Sequence, residues 1–223
     1  MAFIEVKDVF KEYAQDAVIK TEALKEINLT VAKKDFICIA GPSGSGKTTL
    51  LQLVGALDKP TSGKIFYGGE DITVLSSGRL ADFRLRKIGF VFQAYNLINT
   101  LTALENTEYV MLLQGVNNKE RREKAEGILK KVGLGDFLHR RVNRLSGGQQ
   151  QRVAVCRAIA AEAEVILADE PTANLDSQTA AGLIELMRQL NQEKGTTFIF
   201  STHDKLVMDK ADKVFQLKDG RIV

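Results

Sequence analysis

"FICIAGPSGSGKTTLLQLV", residues 36–54, decides the fold. Phe36–Ala40 is an unbroken apolar run, the pattern of a strand covered on both faces rather than one wetted on one side. From Lys47 onward the apolar residues fall at helical spacing. Between the two, Gly41, Gly46, Lys47 and Thr48 fit G-x-x-x-x-G-K-[ST], set between a strand and a helix as that pattern requires. Glycines there let successive backbone N–H groups curve around an anion with no Cβ in the way. Lys47 supplies a point charge for β- and γ-phosphates, and the Thr48 hydroxyl is a ligand for Mg²⁺. A chance glycine turn is the alternative.

Working outward, strands and helices alternate. "FIEVKDVF" and "ALKEINLTV" read as half-buried strands, "GKIFYGGED" as a strand with a tight turn, and "IGFVFQ" (88–93) as a short buried strand. The middle differs. Thr102 with Glu105, and Asn117 with Glu120, stand at capping-box spacing, and "NNKERREKAEGILKKV" is a charged amphipathic helix. Residues 93–145 are therefore expected to be a helical subdomain inserted in an otherwise continuous domain spanning 1–223. Alternation then resumes with a helix from 147, strand "VILAD", a helix over 177–192, strand "TTFIFST", a short helix and strand "KVFQL". In the 177–192 helix, Ala180, Leu183, Ile184, Met187 and Leu190 form one apolar face. The expected fold is α/β: a mostly parallel sheet covered by helices, an N-terminal antiparallel β portion and the helical insert. Ligands in such sheets sit at the carboxyl ends of the strands.

The chain has 223 residues, 44% hydrophobic and 26% charged, with a formal net charge of +3. So small a charge does not argue for nucleic acid. The apolar runs are far shorter than the ~20 residues of a membrane helix, and "MAFIEVKD" lacks the regions of a signal peptide. The expectation is a cytoplasmic chain without a membrane span of its own, any membrane role coming through a partner. Cys38 and Cys156 read as buried free thiols, and no Cys/His spacing suggests zinc.

Polar residues gather at the predicted strand ends. "VILADE" ends in Asp169 and Glu170. A carboxylate directly after an apolar run is costly unless it meets a cation or water. Asp169 suits the shell of the metal, and Glu170 suits a base acting on water. Gln93 closes "IGFVFQ" and can reach Mg²⁺ or that water. His203 ends "TFIFSTHD", where a neutral imidazole can donate to the γ-phosphate or steer water; a surface histidine at a helix start is the other reading. His139 reads as exposed and idle.

"LSGGQQQRVAVCRAIA" (145–160) poses a second question. Ser146, Gly147 and Gly148 stand at the mouth of a predicted helix, which is itself an anion site. Together these motifs resemble the nucleotide-binding subunits of ABC transporters over essentially the whole chain. The resemblance implies an ATPase using ATP and Mg²⁺. Gly41, Pro42, Ser43, Gly44, Ser45, Gly46, Lys47, Thr48 and Thr49 then form the ATP-binding Walker A loop, and 165–170 the Walker B strand. Asp169 joins Thr48 and Gln93 at the metal, while Glu170, His203, Gln93 and Lys47 are catalytic. Leu145, Ser146, Gly147, Gly148 and Gln149 match the signature, Asn174, Leu175 and Asp176 the D-loop, and Tyr13 the aromatic that stacks on adenine. The family pairs head to tail, each signature covering the ATP of the other protomer. That explains two phosphate-type loops in one chain. A homodimer and an integral membrane permease subunit are the implied partners.

The finer similarity is to the lipoprotein-release, macrolide-export, antimicrobial-peptide-resistance and cell-division group. Asp35 stands where relatives usually have glycine, in a turn that a left-handed Asp would preserve. Cys156 stands where alanine is usual, and Ala173 for a frequent glycine. Tyr95, Leu97, Ile98 and Leu101 either meet the permease or pack the helical subdomain. Relatives in DNA repair carry long coiled coils, and translation factors carry two such domains; neither feature is present here. A regulatory subunit that barely turns over ATP is disfavoured by Glu170 and His203.

Overall fold

The structure, a computed structural model, describes residues 2–14 and 20–223. The strands are β1 (Ala2–Ala14), β2 (Lys20–Ala32), β3 (Phe36–Ala40), β4 (Ser62–Tyr67), β5 (Glu70–Asp71), β6 (Ile88–Val91), β7 (Val165–Asp169), β8 (Thr197–Thr202), β9 (Lys213–Lys218) and β10 (Arg221–Ile222). The helices are α1 (Lys47–Val54), α2 (Ser77–Lys87), α3 (Ala103–Leu113), α4 (Asn118–Lys131), α5 (Gly147–Ala160), α6 (Ser177–Lys194) and α7 (Lys205–Lys210). They make an α/β fold with two sheets. One is antiparallel in the order β2-β1-β4-β5; the other runs β10-β9-β3-β8-β7-β6 and is parallel except for β10.

The apolar runs are explained by a sheet covered on both faces. Ile37 and Ile39 of β3, Val165 and Leu167 of β7 and Ile199 of β8 join one core, which the antiparallel sheet and α1 complete. Their neighbours Phe36, Cys38, Ala40, Ile166, Ala168, Phe198 and Phe200 point the other way, into a second core with α5, α6 and α7. Period-two alternation thus feeds two interiors, and the polar residues of β8, Thr197, Ser201 and Thr202, stand at its two ends. Ala180, Leu183, Ile184 and Met187 are buried as the helical spacing predicts; Leu190 is only partly covered.

A third core joins α3 and α4 to Val153, Cys156 and Ala160 of α5. Val155, Ala158 and Ile159, on the other side of α5, belong to the second core. Helix α5 is therefore shared between the sheet and the helices before it. Both cysteines are free and buried, and burial pushes the Cys38 thiol up to about 12.

Caps follow the sequence. Thr102 and Glu105 form a full capping box on α3, whereas Asn117 caps Glu120 N–H but receives the Glu120 carboxylate on its side-chain amide. Two details depart from expectation. Helix α2 is not visible in the apolar pattern, because Leu80 is its one buried residue. The left-handed residue in the turn before β3 is Lys34 (φ 68°), not Asp35. Asp35 instead accepts from Ala32 N–H at 2.9 Å and pairs with Lys213 at 2.9 Å, closing the turn through its side chain.

One ion pair fastens α6 to the amino ends of β3 and β9. Arg188 of α6 meets both Asp212 oxygens, at 2.5 and 3.0 Å, and stacks over Phe36 at 4.9 Å. The guanidinium holds the Asp212 carboxyl below its ordinary value. A lowered carboxylate contributes stability above its unfolded pKa and loses it as pH falls through the folded one. Asp212→Asn is therefore expected to cost roughly 0.5–1 kcal/mol at neutral pH, in keeping with a partly exposed bidentate pair. The gap from wild type should shrink as denaturant titrations move below the usual carboxylate range; a gap that widens in acid would contradict the assignment.

Candidate active site

Strand order builds the site. In the run β3-β8-β7-β6, the neighbouring carboxyl ends release the glycine loop, His203, Asp169–Glu170 and Gln93. They surround a cavity of about 370 Å³ lined by Ser43, Gly44, Gly46, Lys47, Thr48, Thr49, Gln93, Asp169, Glu170 and His203. A wider, open basin of about 860 Å³ beside Arg140, Arg141 and Arg144 has no phosphate loop. The chemistry belongs to the smaller space.

The loop is shaped by the absence of side chains. A Cβ on Gly41 would lie 2.1 Å from the Leu217 carbonyl oxygen. Gly46 has φ 103°, and a Cβ there would lie 2.6 Å from the Ala23 carbonyl oxygen. Inside the loop Lys47 donates to the carbonyls of Gly41 (2.8 Å) and Pro42 (2.9 Å). Its ammonium is thus held over the loop by two carbonyls, with a third N–H left as donor capacity for phosphate.

Thr48 donates to Asp169, at 2.9 Å to Oδ2 and 3.2 Å to Oδ1, and Ser201 also donates to Oδ1. Glu170 is the first residue past β7 and has φ 46°, a left-handed turn whose N–H bonds the Ser201 carbonyl at 2.8 Å. That turn swings its carboxylate away from Asp169. Thr202 donates to Glu170 Oε2 at 2.7 Å, and His203 Nδ1 meets Oε1 at 2.8 Å. Only 12% of the Glu170 side chain is exposed, against 77% for His203. With Nδ1 turned to Glu170, the ring has Nε2 left for an anion. That nitrogen donates in the imidazolium form, with Nδ1–H directed at the Glu170 carboxylate.

Residues 145–149 do not line this cavity. Ser146 caps α5 in a full capping box: its hydroxyl accepts from Gln149 N–H at 3.3 Å, and Gln149 Oε1 accepts from Ser146 N–H at 2.9 Å. Gln149 is thereby committed to the helix end, leaving the Gly147 and Gly148 N–H groups without intrahelical acceptors. Ser146 and Gly147 are exposed. Gly148 faces the 174–176 segment: a Cβ there would sit 3.2 Å from Leu175 Cδ2 and 3.6 Å from the Asn174 oxygen. Asp176 caps α6 through Thr179.

Tyr13 does not line the cavity either; its strand partner Thr21 does, with Glu22 and Ala23. The Tyr13 hydroxyl donates to Asp58 at 3.0 Å, and Lys11 lies 4.6 Å over the ring. One face of the ring is thus occupied within the chain. The β2 wall carries only the ordinary alternation of a strand, so the sequence held no signal for it.

A strand–glycine loop–helix unit with an acidic strand end one strand away across β8 defines a nucleotide-phosphate-binding α/β protein. The family model described as ABC transporter matches residues 24–173. The chain is 49% identical over 219 residues to an uncharacterized ABC transporter ATP-binding protein of Thermotoga maritima, covering 98% of this chain and 93% of that one. It is 45% identical to the lipoprotein-releasing system ATP-binding protein LolD of Anaeromyxobacter dehalogenans, covering 99% and 92%. The dimeric structure of MJ0796, a bacterial ABC transporter cassette, superposes with a TM-score of 0.94 at 42% identity, over 98% of this chain and 96% of that one. A second structure of that cassette, with the same figures, is a dimeric post-hydrolysis state bound to ADP and Pi. The chain belongs to the ABC transporter family and has that family's general ATPase function. Among the described residues no helix is long and apolar enough to cross a membrane.

Proposed function

We propose that this chain is the ATP-hydrolysing half of a head-to-tail pair, each copy binding ATP at its own 41–49 loop and closing the partner's site with residues 145–149. The observation that carries this is the division of the donors. The cavity holds loop, lysine, carboxylates and histidine, while the free glycine N–H groups of α5 face elsewhere on the same chain. Similarity to a cassette solved as a dimer, once with ADP and Pi, favours the same arrangement. A second helix N-terminus over the γ-phosphate adds donors and excludes water, which strengthens every interaction inside.

Thr48 and Asp169 are hard oxygen donors within hydrogen-bond reach of each other, the set magnesium takes alongside substrate phosphates. Among the described residues no cluster of His, Cys, Asp and Glu could cage a metal alone, so nucleotide oxygens would complete its shell, with Gln93 at its edge. When bound, the ion neutralises charge on the β- and γ-oxygens. Glu170, oriented by Thr202 and His203, positions the attacking water and takes its proton. The water oxygen bonds to the γ-phosphorus as the bond to the β–γ bridging oxygen breaks, giving ADP and phosphate. Lys47 and the partner's signature loop stabilise the charge that develops.

Closure with ATP and opening after phosphate loss would drive a membrane permease, in the manner of the export and lipoprotein-release relatives. Residues 93–145 are read as the subdomain that transmits it. Leu97 packs into the third core, whereas Ile98 and the Tyr109, Leu112 and Leu113 face of α3 are exposed. The permease contact is therefore assigned to that outer face more than to the whole 94–101 stretch. Phosphate release by the purified chain tests the shared site. The rate per chain should rise with protein concentration and vanish when magnesium is chelated; a rate per chain independent of dilution would contradict it.

A further inference from the structure

The loop that carries Gln93 is gripped by the helix that carries the signature. Arg157 of α5 donates to the Tyr95 carbonyl at 2.9 Å and to the Asn96 carbonyl at 2.6 Å. Tyr95 (φ 59°) and Asn96 (φ 48°) are both left-handed, and neither is glycine. Such a pair costs on the order of 1–2 kcal/mol per residue, so it persists only where something else holds it. The guanidinium is that restraint: a planar fork on a half-buried side chain, spent on two backbone oxygens.

The same turn touches the other end of the helix. A Cβ on Gly147 would lie 3.0 Å from the Tyr95 hydroxyl oxygen. Tyr95 thus meets α5 twice, through its backbone at Arg157 and through its phenol beside the exposed Gly147. Past the turn, the fully buried Asn106 ties Ile98 to α3, accepting from Ile98 N–H at 2.8 Å and donating to its carbonyl at 3.1 Å. Gln93 therefore hangs between the sheet and a short segment fixed to α5.

We propose that Arg157 is a positioning residue for Gln93: by holding the Tyr95–Asn96 turn it sets where the Gln93 side chain enters the nucleotide cavity, and it makes that placement follow the Ser146–Gly148 end of α5. The inference rests on the reading of Gln93 as part of the hydrolytic site. It gives the pair a route for one site to sense the other. Engagement of a copy's glycine corner by its partner's nucleotide bears on α5, and α5 bears on that copy's own Gln93.

The test is a double-mutant cycle on the intact chain with Arg157→Met, Gln93→Ala and the two combined, reading phosphate release, binding of a fluorescent ATP analogue and thermal midpoint. Misplacing a catalytic group by about an ångström costs up to about 10²-fold, so Arg157→Met should lower kcat by about ten- to a hundredfold. Nucleotide affinity should change by less than about threefold, because the phosphate loop is untouched. Combined with Gln93→Ala, the loss should be no greater than that of Gln93→Ala alone. Arg157→Lys, which keeps a cation but loses the fork, should recover part of kcat and serves where the methionine variant does not fold. Wild-type kcat in Arg157→Met, or losses that multiply in the double variant, would overturn the inference while leaving the site intact. Wild-type turnover in Gln93→Ala would instead overturn the reading of Gln93 on which it rests.

Discussion

Glu170→Gln should reduce steady-state phosphate release by about 10²–10⁴-fold, the usual contribution of a positioned general base and about 3–5 kcal/mol of barrier. The amide keeps the shape of the carboxylate and one acceptor oxygen for Thr202, so the left-handed turn after β7 has no reason to change. It cannot take a proton from water. ATP binding, which rests on the 41–49 loop, should be within about twofold of wild type. Colorimetric phosphate release together with equilibrium nucleotide binding separates the two effects. Turnover near wild type would remove Glu170 from the mechanism and leave His203 as the candidate base.

Ser146→Arg should abolish pairing and turnover while leaving binding at the chain's own loop unchanged. The substitution costs about 1 kcal/mol of cap, since Ser146 holds the Gln149 N–H. Its larger effect is to place a long cation in front of the Gly147 and Gly148 N–H groups, at the positive end of a helix where an anion is expected. A complementation experiment isolates that effect. Lys47→Ala chains are crippled in their own loop and Ser146→Arg chains in the corner they lend. A mixed head-to-tail pair contains one site with both parts intact. Mixing two inactive variants should restore phosphate release, to a sizeable fraction of a single wild-type site. Activity that stays absent over a range of ratios, with both chains folded and binding ATP as expected, would argue that each chain closes its own site.

How far the sequence carried this picture depends on what each feature needs. The phosphate loop was legible because glycines, lysine and threonine must stand at fixed spacing between a strand and a helix. The buried strands were legible because both faces of β3, β7 and β8 feed separate cores. The Thr102 box was legible because a cap and its return partner lie three residues apart; the same spacing at Asn117 gives only the cap, and the Ser146 box was not read from the sequence. Other features depend on partners remote in sequence. Helix α2 buries one leucine and shows no apolar stripe. The wall at Thr21–Ala23 is ordinary strand backbone. Arg157 reaches carbonyls about sixty residues away, and nothing in "VAVCRAIA" distinguishes it from a solvated arginine. Asp35 reads as a left-handed residue, but the left-handed position is its neighbour Lys34, and the Asp35 carboxylate closes the turn through Ala32 N–H.

The central claim is that one nucleotide is held between two copies of this chain. Its most direct test is the mass in solution of Glu170→Gln, measured by light scattering with and without ATP and magnesium, beside Glu170→Gln carrying Ser146→Arg. The mass should double on adding nucleotide to the first protein and stay unchanged in the second. A single-chain mass at saturating nucleotide in the first, or pairing that survives Ser146→Arg, would contradict it.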